Sequence, residues 1–128
     1  MKLLLTEKEC ETFFYNALCN GLSYLEGYGL ELKWEAKDYA VAQGLAYAKK
    51  GDNACFEDVI MAILRDGKDI HFVDHEGDYN EFVTLKRIHH KVPKVEMATL
   101  MEMVNEQDDA LTADVILQTV IFGKVIFG

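Results

Sequence analysis

The N-terminal part of the chain carries apolar residues at the spacing of one helical face. Thr6 and Glu9 match a capping box, in which the side chain of each residue bonds the backbone of the other. The apolar positions that follow predict a helix over residues 6–20, and they are Cys10, Phe13, Phe14, Ala17 and Leu18. Gly21 is a candidate end for this helix, although two further leucines continue the stripe beyond it.

A second helix is expected over residues 35–50, which are rich in alanine. Val41, Leu45 and Ala48 have the spacing of a helix, and a glycine follows two lysines at the expected end. Gly44 weakens the helical pattern in the middle of the segment, because glycine lowers helix propensity.

A third helix is predicted from a strongly periodic apolar stripe that ends at Gly67. Asp52 or Asn53 is the expected N-cap, because a short polar side chain can accept a hydrogen bond from a free backbone N–H of the first turn. The stripe consists of Phe56, Val59, Ile60, Ile63 and Leu64.

Strands are predicted where apolar and polar residues alternate. Residues 30–34 show this pattern over a short length. Residues 70–74 and 81–85 show it again on either side of a polar stretch. The later pair is expected to form a β-hairpin whose loop is longer than the tightest turns.

The chain returns to helical spacing after the hairpin. Leu85, Ile88 and Val92 indicate a short helix that ends before Pro93, because proline disfavours helical backbone at the residue before it. A further helix is expected to begin there and to stop near residues 107–109. Its apolar stripe is Met97, Leu100, Met101 and Val104.

The last element, residues 113–122, is apolar on nearly every side, with Asp109 or Thr112 as its expected cap. Its β-branched residues favour a strand, whereas its length and acidic start favour a buried helix, which we prefer. The tetrapeptide Val-Ile-Phe-Gly occurs at residues 120–123 and again at 125–128. The repeats are interpreted as core segments with glycine bends or, alternatively, as an apolar tail that docks on a second subunit.

Together these elements predict an α+β fold, with four or five helices packed on a small antiparallel sheet that contains one β-hairpin. The strand at residues 30–34 is a candidate third member of that sheet. No linker rich in proline, glycine or serine divides the chain, so one domain is expected over residues 1–128.

The composition limits the partners that this fold can have. Thirteen Lys and Arg against 22 Asp and Glu give a net charge of −9, so binding of nucleic acid by bulk charge is not expected. The three cysteines include no Cys-x-x-Cys pair, which favours reduced thiols. With no secretory leader and no run of apolar residues long enough to span a membrane, we expect a soluble cytoplasmic protein.

The charges are distributed unevenly along the chain. Residues 66–81 and 95–114 hold six acids each, whereas residues 86–94 hold none. The basic segment between the acidic blocks is interpreted either as neutralising its neighbours or as a docking patch for an anionic partner or ligand. Its candidate binding residues are Lys86, Arg87, His89, His90, Lys91 and Lys94.

Candidate catalytic residues are few. His71 and His75 are about 13 Å apart along an extended strand, too far to share one metal ion. His89 and His90 are neighbours, so on a helix they point in different directions. Cys55 is the thiol to test, because a helix N-terminus can lower a cysteine pKa.

We therefore expect a non-enzymatic accessory or protein-interaction domain that needs no cofactor and forms a homodimer. The dimer contact is expected from residues 115–128 or from the aromatic first half of the chain. One alternative is a metal-dependent enzyme or binder that uses histidines and carboxylates of residues 71–90, brought together by the fold. A second alternative is an acidic mimic of nucleic acid that occupies a DNA-binding protein.

Overall fold

The computed structural model describes residues 4–105 and 110–128. Within them, two short 3-10 helices, Gly51–Asn53 and Val92–Lys94, accompany six α-helices and three strands. The helices are α1 (Glu7–Gly27), α2 (Ala36–Lys50), α3 (Phe56–Arg65), α4 (Leu85–Lys91), α5 (Met97–Val104) and α6 (Ala110–Phe122). The strands are β1 (Leu30–Lys33), β2 (Ile70–Asp74) and β3 (Asn80–Val83). The α+β class is confirmed, with one helix more than the four or five expected.

The three strands form one antiparallel sheet in the order β1-β2-β3. Ile70 pairs with Val83 in the hairpin, and Leu30 pairs with Asp74 on the other edge of β2. The apolar side chains of one face are buried, as the alternating pattern predicts. Both the hairpin and the short strand near residues 30–34 are therefore confirmed.

Helices α1 and α6 pack closely against each other in the core. A Cβ atom at Gly21 would lie 2.8 Å from the Cβ of Ala113, so only glycine fits at this crossing. Gly21 keeps helical backbone, and α1 continues through it to Gly27. The expected end at Gly21 is therefore wrong, because close packing, and not a turn, explains this glycine.

Helix α2 forms as predicted, but its apolar stripe does not face the core. Ala42 and Ala46 are buried, whereas Val41 is 57% exposed and Leu45 is 54% exposed. Ala48 is exposed as well. The helix packs on α3 with Ala42 and Ala46 on its buried side, while Val41 and Leu45 face outward.

The N-cap of α3 differs from the expected one. Cys55 occupies the cap position and forms a capping box with Asp58. Asp52 and Asn53 lie earlier, in a 3-10 helix. The polar residues predicted as caps therefore lie two or three residues before the observed N-cap.

The C-terminal half contains the predicted helices with different details. Helix α4 ends before Pro93 as expected, and α5 buries Leu100 and Met103 while Met97 and Met101 are exposed. The predicted end of α5 near residues 107–109 lies outside the described residues, as does Asp109; within them, α5 ends at Val104.

The final element is the buried helix α6, which confirms the preferred interpretation over a strand. Thr112 lies inside this helix and donates to Glu102, so it is not the cap. Phe127 returns to the core and stacks on Tyr28 at 4.8 Å. Phe127, which belongs to the second Val-Ile-Phe-Gly repeat, therefore packs against the same chain.

Among the described residues, no helix combines the length and the apolar composition that crossing a membrane requires.

Candidate functional site

Helix α4 gathers most of the basic segment on its solvent side. Lys86 and His90 are four residues apart, so they lie on one helical face, and both are exposed. Lys94 follows four residues later in the 3-10 turn and is also exposed. We call Lys86, His90, Lys91 and Lys94 the basic surface.

Arg87 points away from this surface and binds the C-terminal end of α6. Its Nε donates to the carbonyl of Val120 at 2.7 Å, and a second guanidinium nitrogen donates to the carbonyl of Ile121. The last carbonyls of a helix lack intrahelical partners and carry partial negative charge, so a guanidinium stabilises them. Arg87 therefore has a structural role within the chain.

Lys91 belongs to the basic surface and also approaches the residue that follows α6. Its Nζ is 3.7 Å from the position that a Cβ atom would take at Gly123, just after α6. The charge of Lys94 above all, then loss of hydration and the charge of Arg87, lower the pKa of Lys91. Like charges are thus held together on this side of the molecule.

His89 also belongs to the interior of the fold and not to the basic surface. Its Nε2 donates to the carboxylate of Glu11 at 2.9 Å, and Arg65 donates to the other oxygen of Glu11. Burial alone would raise the pKa of Glu11, but these two hydrogen bonds outweigh it and hold the pKa below its usual range. His89 therefore connects α4 to α1.

The other histidines lie in the sheet region with partners of their own. His71 stacks on Phe82 with ring centroids 4.2 Å apart and bonds the side chain of Asn80. His75 is exposed, 3.8 Å from Glu31. In the part of the chain that the structure describes, no group of three or more His, Cys, Asp or Glu side chains is placed to hold a metal ion.

Cys55 lies in a hydrogen-bonded cluster at the start of α3. Its backbone N–H and its thiol both donate to Oδ2 of Asp58, at 2.9 and 3.1 Å. Lys50 donates to Oδ1 of Asp58 at 2.7 Å and to the hydroxyl of Tyr15 at 3.4 Å. Burial above all, opposed by the backbone hydrogen bond and reinforced by the neighbouring acids, raises the pKa of the Cys55 thiol. The thiol is therefore not activated as a nucleophile.

Asp58 is the central acceptor of this cluster. Its burial raises the pKa, but the hydrogen bonds from Lys50 and Cys55 outweigh burial and hold the pKa of Asp58 far below its usual range. A carboxylate with a lowered pKa stabilises the fold above its unfolded pKa of about 3.9, and this contribution is lost as the pH falls below that value.

We expect Asp58→Ala to lower the free energy of unfolding by about 2 kcal/mol at neutral pH, because a helix cap and a charged hydrogen bond are lost. The difference from the native chain should shrink as the pH falls below about 4. Urea unfolding measured at several pH values checks both expectations. Asp52→Ala is the control, since Asp52 is exposed and lies outside the capping box; an equal loss in both variants would contradict the assignment.

A cleft of about 460 Å³ opens beside this cluster, between α1, α2 and α3. Lys50 and Arg65 line it, and each is paired with a carboxylate, Asp58 and Glu11 respectively. Lys49 is a third cation of the lining, and no carboxylate of the described residues lies within ion-pair distance of it. Most of the charge in the cleft is thus already neutralised by the fold.

Comparisons with protein families, curated proteins and solved structures found no match. The function is therefore argued from this chain's own geometry. Of the six basic candidates, Lys86, His90, Lys91 and Lys94 are brought together, whereas Arg87 and His89 are not available on that surface. The sequence interpretation missed Asp58, although the spacing Cys55-x-x-Asp58 resembles a capping box and was the available signal.

Proposed function

We propose that this protein is a non-enzymatic cytoplasmic interaction domain that docks an acidic segment of a partner protein on the basic surface. The observation that carries the proposal is the placement of Lys86, His90 and Lys94 together on the exposed side of α4 and the turn after it. The fold holds like charges together here, and an anionic partner would relieve their repulsion.

The net charge of the whole chain favours one orientation of the docked partner. At −9, the chain repels an acidic partner over most of its surface and attracts it only near the basic surface. Charge of this kind influences the rate and specificity of association more than the final affinity. We therefore expect binding that weakens steeply with salt.

The cytoplasmic location is supported by the cysteines. Cys10, Cys19 and Cys55 are all free thiols, which is typical of proteins in a reducing compartment. Cys55, the thiol that the sequence singles out, has a raised pKa, which disfavours its use as a nucleophile.

The test uses a labelled glutamate-rich synthetic peptide and measures its binding by fluorescence anisotropy at low and physiological salt. The double variant Lys86→Glu with Lys94→Glu should weaken binding roughly tenfold or more, because two attractive charges become repulsive. The control is Lys33→Glu with Lys68→Glu, which makes the same change in net charge at exposed positions elsewhere. The control should change binding much less.

Equal weakening in both double variants would mean that bulk charge, and not the basic surface, controls binding, which would contradict the proposal. Duplex DNA serves as a second anionic probe. Tighter binding to the duplex than to the peptide would also overturn the proposal.

A further inference from the structure

Helix α2 presents an apolar face to solvent. The five small or apolar residues on the side away from the core are all exposed, and we call them the α2 face: Ala40, Val41, Gly44, Leu45 and Ala48. Ala42 and Ala46 occupy the opposite, buried side. A stripe at helical spacing normally packs against another element, but here nothing within the described residues covers it.

Gly44 lies at the centre of this face, and no contact among the described residues explains it. It does not adopt positive φ, and a Cβ atom there would meet no heavy atom of the described residues within 4 Å. Glycine in a helix interior destabilises the helix relative to alanine. Small residues repeated every four positions, here Ala40, Gly44 and Ala48, allow the backbone of another helix to approach closely. No helix of the described residues packs on this face.

The charges beside the face indicate what that helix is. Asp38 and Lys49 flank the face on the side of Leu45, about three helical turns apart and at opposite ends. Neither side chain forms an ion pair within the described residues. In an antiparallel pair of α2 helices, the Leu45 side of the face in one copy meets the Leu45 side in the other. Asp38 of each copy therefore faces Lys49 of the other. In a parallel pair, the Leu45 side of the face in one copy would instead meet the Ala40 side in the other, so Asp38 and Lys49 would not face each other.

We infer that two copies of this chain associate through the α2 face as an antiparallel helix pair, with Gly44 at the crossing point. The inference goes beyond the proposed function and is independent of it, because the basic surface lies on α4. Helix α2 has 15 residues, so it is about 22 Å long and makes a small contact. We therefore expect a reversible dimer with a dissociation constant in roughly the micromolar range.

Sedimentation velocity over a range of protein concentrations tests this dimer. Leu45→Glu should raise the dissociation constant roughly tenfold or more, because a charge would enter the apolar contact. The control is Leu111→Glu on α6, which replaces the same residue type at 61% exposure and should leave the dimer unchanged. Gly44→Leu provides a second variant, since the monomer has room for the side chain but the close crossing does not.

The antiparallel arrangement is tested by exchanging the flanking charges. Asp38→Lys and Lys49→Asp should each weaken the dimer, because each substitution places like charges opposite one another at both Asp38–Lys49 pairs of the symmetric dimer. The double variant, Asp38→Lys with Lys49→Asp, should restore most of the affinity because both pairs form again with the charges reversed.

Three outcomes would overturn the inference. A monomer at every concentration excludes self-association, and a dimer that Leu111→Glu disrupts but Leu45→Glu does not lies on another surface. Failure of the double charge exchange to restore affinity excludes the antiparallel pair. Circular dichroism checks that each variant remains folded. Peptide binding by the basic surface is measured separately, because the α2 dimer is independent of it.

Discussion

Gly21→Val is expected to lower the free energy of unfolding by about 3 kcal/mol. A Cβ atom at position 21 would lie 2.8 Å from the Cβ of Ala113 and 3.2 Å from two backbone atoms of α6. Side chains can rotate away from a clash, but helix backbone cannot, so α1 and α6 would have to separate. The buried side chains of both helices would then lose contacts. Urea unfolding followed by circular dichroism measures the loss as a lower midpoint.

Two further variants show whether the cause is the close approach. Gly27→Ala lies on the same helix with nothing of the described residues within 4 Å of the added Cβ, so it should leave stability unchanged or raise it slightly. Gly21→Ala should be destabilising, and adding Ala113→Gly should recover part of the loss. If Gly21→Val and Gly27→Ala shift the midpoint alike, the helices do not approach as closely as described.

The same glycine shows what a sequence pattern can and cannot predict. The periodicity of α1 was clear enough to predict its start, its capping box and its buried face. The local sequence favours a helix end at this glycine, but the packing that requires glycine involves Ala113, about 90 residues away. Local patterns report backbone preference, whereas a close helix crossing is a property of the assembled fold.

Helix α2 illustrates a second limit. Spacing alone predicted the helix, yet Val41 and Leu45 turned out to face solvent, while Ala42 and Ala46 face the core. Periodicity shows that a face is apolar but does not say whether the covering element belongs to the same chain. The exposed face is therefore informative about partners in a way that the sequence pattern alone was not.

Only part of the candidate site could be predicted from the sequence. The run of basic residues at 86–94 was evident, and helical spacing places Lys86 and His90 on one face. Assigning Arg87 to the end of α6 and His89 to Glu11 required the tertiary contacts, because their partners lie 33 or more residues away. The sequence thus predicts a basic segment, but it does not show which of its residues bind other parts of the fold and which remain exposed.

Gln118 is a residue that no pattern singled out, and it ties the end of the chain to the core. It is fully buried in α6. Its Oε1 accepts hydrogen bonds from the backbone N–H groups of Ile126 and Phe127, both at 2.8 Å. Its Nε2 donates to Asp114 at 3.0 Å and to the carbonyl of Phe127 at 3.1 Å. One side chain thus satisfies the backbone of the terminal segment much as a neighbouring strand would.

The aromatic contacts beside Gln118 depend on the same arrangement. Tyr28, which stacks on Phe127, donates its hydroxyl to Asp114 at 2.8 Å. Burial above all, together with this hydrogen bond, raises the pKa of Tyr28 to about 12, so the hydroxyl remains a donor at neutral pH. Asp114 therefore accepts from both Tyr28 and Gln118 at one oxygen, and loss of either donor leaves a buried carboxylate less well bonded.

We expect Gln118→Leu to lower the free energy of unfolding by about 3 kcal/mol and to release the terminal segment. Leucine fills a similar volume but makes none of the four hydrogen bonds, and unpaired buried polar groups are costly. The backbone of Ile126 and Phe127 should then exchange with solvent, which removes Phe127 from its stack. Urea unfolding gives the stability, and hydrogen exchange of the two amides reports on the segment itself.

Gln43→Leu is the matched control, because it makes the same substitution at an exposed position of α2 and should change stability by no more than about 0.5 kcal/mol. Gln118→Glu adds a second comparison, since it keeps acceptor oxygens for Ile126 and Phe127 but places a carboxylate beside Asp114. It should destabilise more at neutral pH than at acidic pH, where the added carboxyl is protonated and can donate to Asp114. Unchanged exchange of the amides of Ile126 and Phe127 in Gln118→Leu would show that stacking of Phe127 alone, and not Gln118, holds the end of the chain.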